Sequence, residues 1–135
     1  MKVLITGASS GMGREFARLL AKDNELILVA RNKEKLEELK NELGNVKIIS
    51  MDISDKDNCI KLYNEVRDVD LLINNAGFGD YGKFNETNLD KDILMINTNV
   101  IACHTLTKLY LKDMMKKILD IYLMLHQLLD LCQDH

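Results

Sequence analysis

Apolar residues come in short blocks along the first half of the chain, and charged stretches separate them. Val3-Leu4-Ile5-Thr6 carries no charge and runs into a glycine-rich segment. A short apolar run bounded by turn residues predicts a buried strand. From Gly11 to Lys22 the apolar positions change to helical spacing, with Met12, Phe16, Leu19 and Leu20 on one face. Glu25 to Ala30 predicts a second buried strand. Lys33 to Leu43 predicts a charged helix with Leu36, Leu39 and Leu43 as its stripe, stopped by Gly44-Asn45. Val46 to Ser50 is a third strand. Ser54 or Asp55 then caps a helix through Ile60, Leu62, Tyr63 and Val66. Val69 to Ile73 is a fourth strand, ending in Asn74-Asn75-Ala76-Gly77. A loop rich in glycine and asparagine reaches about Asn88, and a long helix runs from about Asp90 to Lys117.

Strands alternating with helices imply right-handed crossovers and a parallel sheet. The expected fold is an α/β, Rossmann-like doubly wound sheet in a single domain. Net charge is only −3 while 47% of residues are hydrophobic. That balance makes no electrostatic case for nucleic acid or an anionic membrane as partner. Cys59, Cys103 and Cys132 show neither pairing nor metal spacing, and His104, His126 and His135 form no ligand motif. They read as reduced thiols of a cytoplasmic protein without a metal centre. A strand beginning at residue 2 leaves no room for a signal peptide.

The candidate chemistry sits at the first strand-to-helix turn, Thr6-Gly7-Ala8-Ser9-Ser10-Gly11-Met12-Gly13. A strand feeding glycines and then a helix makes a cradle for a pyrophosphate. The glycines admit close backbone approach, and the helix N-terminus offers unpaired N–H groups and partial positive charge. At the end of the second strand an NAD site usually carries an acidic residue for the ribose 2′-hydroxyl. This chain has Ala30 and then Arg31. A guanidinium pairs with a 2′-phosphate that a carboxylate would repel, so NADP(H) is favoured over NAD(H). Arg14 and Lys33 add positive charge nearby. The competing reading makes Arg31 a solvated residue opening a charged helix.

Together with Val29-Ala30-Arg31, Met51-Asp52-Ile53, Asn74-Asn75-Ala76-Gly77 and Asn97-Thr98-Asn99-Val100, this turn closely resembles the compact subdivision of the short-chain dehydrogenase/reductase family. The resemblance covers residues 1 to about 117. It implies cofactor contacts at Thr6, Gly7, Ser9, Ser10, Gly11, Met12, Gly13, Arg31, Asp52, Ile53, Asn75, Ala76 and Gly77. By the same resemblance Asp52 and Ile53 border the adenine, Asn74 stabilises the sheet, and Ala76-Gly77 let the ribose lie close. Asn99 matches the catalytic asparagine that kinks a helix and helps hold a proton-relay water. Members of the family move hydride between a nicotinamide cofactor and a small carbonyl or alcohol. A tyrosine, a lysine four residues later and a serine handle the proton and the oxygen.

Those last three residues are missing from the sequence. Four residues after Tyr63, Tyr81, Tyr110 and Tyr122 stand Arg67, Asn85, Met114 and His126. The serines are Ser9, Ser10, Ser50 and Ser54, all in the cofactor half. Residues 1–117 are therefore expected to form an incomplete dinucleotide-binding domain, and the resemblance implies that its strands lie in the order 3-2-1-4. Residues 118–135 form an atypical tail. Proline is absent, where average usage gives about seven, and glycine stops after Gly82. Reading the tail's codons one base out of register from Leu119 permits Gly-Tyr-Ile-Leu-Asn-Val-Ser-Ser, which looks like the family's serine-bearing strand. An out-of-frame tail is one expectation. The other is a genuine amphipathic helical extension through Ile118, Ile121, Tyr122, Leu125, Leu129 and Cys132. Asp120, His126, Gln127 and Asp130 interrupt it too often for a membrane span.

Two function classes follow. One is an NADP(H)-dependent oxidoreductase by descent, present as a catalytically incomplete fragment. The other is a non-catalytic nucleotide-binding or interaction module. In either case a bare edge on the fourth strand, together with the apolar long helix, predicts self-association.

Overall fold

The computed structural model describes residues 1–116 and the backbone of 121–124. Strands β1 (Lys2–Thr6), β2 (Glu25–Ala30), β3 (Lys47–Ser50), β4 (Leu71–Asn74) and β5 (Ile121–Met124) form one parallel sheet in the order β3-β2-β1-β4-β5. Helices α1 (Gly11–Leu20), α2 (Lys33–Leu43), α3 (Lys56–Glu65), α4 (Leu89–Ile96) and α5 (Cys103–Met114) fill the crossovers. A π-helical segment (Asn97–Ala102) joins the last two.

Side-chain alternation sends β1 to two cores. Val3 and Ile5 join Leu26, Leu28, Leu36 and Leu39 beneath α1 and α2. Leu4 joins Ile27, Val29, Leu62, Leu106 and Tyr110 beneath α3 and α5. A strand buried on both faces reads as an unbroken apolar run, which is why β1, β2 and β4 were visible in the sequence. Helix starts were equally visible. Asn32 and Asp55 accept hydrogen bonds from Lys35 N and Asp57 N, satisfying donors that a helix start leaves unpaired.

Helix α1 departs from expectation in part. Phe16 and Leu20 pack half-buried against the core, but Met12 is 48% and Leu19 78% exposed, while the helix fully buries Gly13 and Ala17. Small residues let α1 lie close on the sheet, and that closeness matters more here than the width of an apolar face.

The C-terminal region departs too. The order 3-2-1-4 is present, but Ile121–Met124 is extended, with Leu71 opposite Ile121 and Asn74 opposite Met124. The expectations of a helical tail and a bare β4 edge do not hold at these residues. A short apolar run fits strand or helix equally by periodicity, and the unpaired backbone groups of a central strand favour pairing. The rest of the tail, including the proposed frame change, lies outside the described residues.

Candidate functional site

The chain leaves β1 toward one face of the sheet and β4 toward the other, so a crevice opens above the C-terminal ends of these strands. It is a cleft of about 440 Å³. The glycine turn contributes Gly7, Ser9 and Ser10. The end of β2 and the start of α2 contribute Ala30, Arg31, Asn32 and Glu34. Met51, Asp52 and Ile53 follow β3, and Ala76, Gly77 and Phe78 follow β4.

Backbone contacts build the floor. Gly7 has φ +65, and a Cβ there would lie 2.8 Å from Ala76 Cα. A Cβ on Gly13 would overlap Gly7 O and the Asn75 amide. The turn is therefore folded down against β4, and side chains at positions 7 and 13 would lift it. Buried Thr6 makes the lateral tie, its Oγ1 accepting from Asn75 N and Ala76 N at 3.1 Å each. Asn75, fully buried, donates through Nδ2 to Gly7 O at 3.1 Å. Its Oδ1 is buried with no hydrogen-bond partner, so this wedge is kept despite a desolvation cost. Ser10 caps α1 without any side-chain hydrogen bond, so the first-turn N–H groups are not closed off by its hydroxyl.

The far wall depends on Asn99. The π-helical segment turns this residue inward to 5% exposure. Its Oδ1 accepts from Phe78 N at 2.9 Å and its Nδ2 donates to Phe78 O at 2.7 Å. One amide thus fixes the loop that carries Ala76 and Gly77 along the cleft. It is not the exposed polar residue that an uninterrupted helix would have made it. Asn74, behind this loop, donates to Thr107 Oγ1 on α5 at 3.2 Å. On the β3 side, Asp52 Oδ1 accepts from Ser54 N at 3.0 Å, and Cys59 Sγ donates to Ile53 O at 3.2 Å. Burial pushes the Cys59 thiol up to about 11, so it stays a neutral donor rather than a nucleophile.

Of the residues singled out from sequence, Gly7, Ser9, Ser10, Arg31, Asp52, Ile53, Ala76 and Gly77 line the cleft. Thr6, Gly13, Asn75 and Asn99 stand behind it and set its shape. Gly11 and Met12 begin α1 outside the lining, and Lys33 is exposed away from it. Asn32, Glu34 and Phe78 line the cleft without having been singled out, and Met51 and Thr98, quoted in the motifs without a cofactor role, line it too. Each adjoins or nearly adjoins a motif residue, and that adjacency was the available signal.

Among the described residues no tyrosine lines the cleft. Tyr63 donates to Asp113 at 2.6 Å, and Tyr110 to Val66 O at 2.8 Å. Both phenols are held above their ordinary range, Tyr63 mainly by its bond to Asp113 and Tyr110 by burial. Among the described residues no group of acidic, histidine and cysteine side chains could hold a metal ion. No helix among them is long and apolar enough to cross a membrane.

A family model described as "short chain dehydrogenase" matches residues 1–119. Dehydrogenase/reductase SDR family member 7B of Xenopus laevis is 34% identical over 129 residues, covering 84% of this chain and 40% of that protein. The NADP-dependent 3-hydroxy acid dehydrogenase of Schizosaccharomyces pombe is 37% identical over 118 residues, covering 78% and 46%. A solved short-chain dehydrogenase from Sphingobium yanoikuyae in complex with NADPH superposes with TM-score 0.84 at 27% identity, covering 91% of this chain and 52% of that one. The chain spans about 40% of the length of the first curated relatives it matches.

Proposed function

The chain belongs to the short-chain dehydrogenase family, whose members bind nicotinamide cofactors and act on small molecules, and from that premise we propose an assignment. Residues 1–117 form the coenzyme-holding part of an NADP(H)-dependent oxidoreductase that interconverts a small carbonyl and its alcohol. The observation that carries the NADP choice is Arg31. It lines the cleft at the end of β2, where an NAD site would present a carboxylate, and its guanidinium makes no hydrogen bond among the described residues. Glu34, in the first turn of α2, and Asp52 are the carboxylates among the described residues that line the same cleft.

The cradle fits a dinucleotide: the closeness of Gly7 to Ala76 and of Gly13 to Gly7 leaves backbone rather than side chains facing the phosphates. Ser10 and the first turn of α1 receive the pyrophosphate. Asp52 retains Oδ2 for the adenine amino group, and Ala76-Gly77 give the ribose its close wall. Bound, the coenzyme supplies hydride. Asn99 keeps the Phe78 backbone in register beside it and is the single catalytic position of the family pattern in these residues.

The sequence carries no serine past Ser54 and no tyrosine followed four residues later by lysine. The 135 residues therefore hold coenzyme without completing proton transfer. A change of frame after residue 117 would account for the tail, and coding DNA that lacks the Asn-Val-Ser-Ser peptide in the alternative frame ends that reading. The missing catalytic groups favour the second reading, a nucleotide-binding module that does no chemistry. Leu89, Ile93, Ile96 and Val100 leave an apolar stripe between 47% and 70% exposed, which supports self-association through α4. Buried thiols at Cys59 and Cys103 suit a reducing, cytoplasmic setting.

Calorimetric titration tests this assignment. NADPH is expected to bind at least about tenfold more tightly than NADH, and Arg31→Gln to narrow the difference. No heat with either nucleotide on folded protein ends the coenzyme assignment. Carbonyl reduction by the chain alone ends the claim of incompleteness.

A further inference from the structure

The 135 residues contain four arginines, and two of them are already committed. Arg18 bonds Glu42 through Nε at 2.7 Å and through Nη2 at 3.1 Å, and it also pairs with Glu15. Arg67 bonds Asp113 at 2.9 Å. Among the described residues Arg31 and Arg14 make no side-chain hydrogen bond. Arg14 has one ion-pair contact, to Glu15 at 3.8 Å, and Glu15 is itself held by Arg18. Its Nε is shielded from solvent with no hydrogen-bond partner. A shielded, unpaired donor on a cation is costly and is relieved when an anion supplies the acceptor.

The position of Arg14 indicates which anion. It lines a small cleft of about 90 Å³ between α1 and α2, together with Ser9, Lys35 and Glu38. Arg18 and Glu42 line it as well, so three cations meet two carboxylates there. Ser9 is common to this cleft and to the large one, where Ser10, Arg31, Asn32 and Glu34 also gather. The small cleft thus opens beside the corner of the large cleft to which Arg31 belongs. Lys33, the other cation expected there from sequence, lines neither cleft, whereas Lys35 does.

We propose that Arg14 is a second specificity-determining cation, meeting the coenzyme's 2′-phosphate across Ser9 from the side opposite Arg31. This inference rests on the dinucleotide assignment above and adds to it a residue from α1. Two guanidiniums on separate elements would grip a terminal phosphate. An NAD ribose, with only a hydroxyl there, gains nothing from either.

The test uses the full chain with Arg14→Gln, Arg31→Gln and the double variant, each first checked for an unchanged urea midpoint. Affinities are measured for NADPH and NADH, and for 2′-AMP and 5′-AMP as fragments that isolate the phosphate position. Arg14→Gln is expected to weaken NADPH and 2′-AMP about tenfold while NADH and 5′-AMP stay within about twofold. Arg14→Lys should recover part of the loss. Equal weakening of all four ligands means that Arg14 shapes the turn rather than reading the phosphate, and overturns the inference. So does no weakening of any of them, and either result leaves the coenzyme assignment standing if wild type still prefers NADPH. A wild type that shows no such preference overturns both.

Discussion

The two faces of this sheet are built from the same strands and solve different problems. Under α3 and α5 the core is large: Tyr110, Met114, Leu106 and Leu62 are all buried, and Tyr110 meets Tyr63 edge-on at 5.2 Å between ring centres. Under α1 the helix itself fully buries only Gly13 and Ala17, with Phe16 and Leu20 half-buried against the core of Val3, Ile5 and Leu28. Both faces carry an apolar core. Where α1 begins, side-chain volume is given up so that a backbone turn can lie flat enough to receive a ligand. A side chain at position 13 and a side chain lost at position 110 should therefore fail in distinct ways.

Tyr110→Ala removes a fully buried ring and is expected to lower the unfolding free energy by about 3–5 kcal/mol in urea melts. The folded fraction should retain its nucleotide affinity. Gly13→Ala forces a methyl into Gly7 O and the Asn75 amide, with an expected stability loss of about 1–3 kcal/mol. Its affinity for NADPH should fall about a hundredfold, because the turn must lift. Should Tyr110→Ala weaken binding as much as Gly13→Ala does, the two faces are not separable.

A smaller effect tests the polar clasp on the large face. Asp113 accepts from Tyr63 at 2.6 Å and from Arg67 at 2.9 Å, and Arg67 stacks 4.1 Å over the Tyr63 ring. The Tyr63 hydroxyl, and then Arg67, hold the Asp113 carboxyl below its ordinary 3.8. A depressed carboxyl contributes stability above its unfolded pKa and loses it as pH falls through the folded one. Wild type should therefore lose this contribution below about pH 4, and Asp113→Asn should remove that part of the acid dependence. At neutral pH the variant should cost about 1 kcal/mol, read by thermal melts. The smallest change concerns Asp68, the single described non-glycine residue with positive φ, at 60° in the corner between α3 and β4. Asp68→Gly is expected to be neutral or to stabilise by about 0.5 kcal/mol, with binding untouched.

The glycine turn was legible because its evidence is contiguous: strand, glycines and helix start follow within thirteen residues, and local chemistry suffices to read them. Asn99 was identified, yet its work was not. Its two bonds to Phe78 cross 21 residues of chain and need the π-helical segment to turn it inward. The inner face of α1 was read correctly at Phe16 and Leu20 but not at Met12 and Leu19, because hydrophobic spacing records which residues are apolar, not how near a helix must pack. Arg14 and Arg31 were both visible as charges. That Arg14 keeps only a 3.8 Å contact to Glu15 while Arg18 bonds Glu42 as well as Glu15 could be known only once α1 and α2 lay side by side.

From its order of residues alone, the chain set its alternation of strands and helices and the place where a phosphate would meet a helix end, both of which follow from local propensity. The order of its first four strands was legible only through the resemblance of its motifs to a known family. Which side chains stand behind the cleft, which cations stay unpaired, and that residues 121–124 extend the sheet were decided by the tertiary structure. Partners far apart in sequence compete for the same buried donors, acceptors and strand edge, and only packing chooses among them.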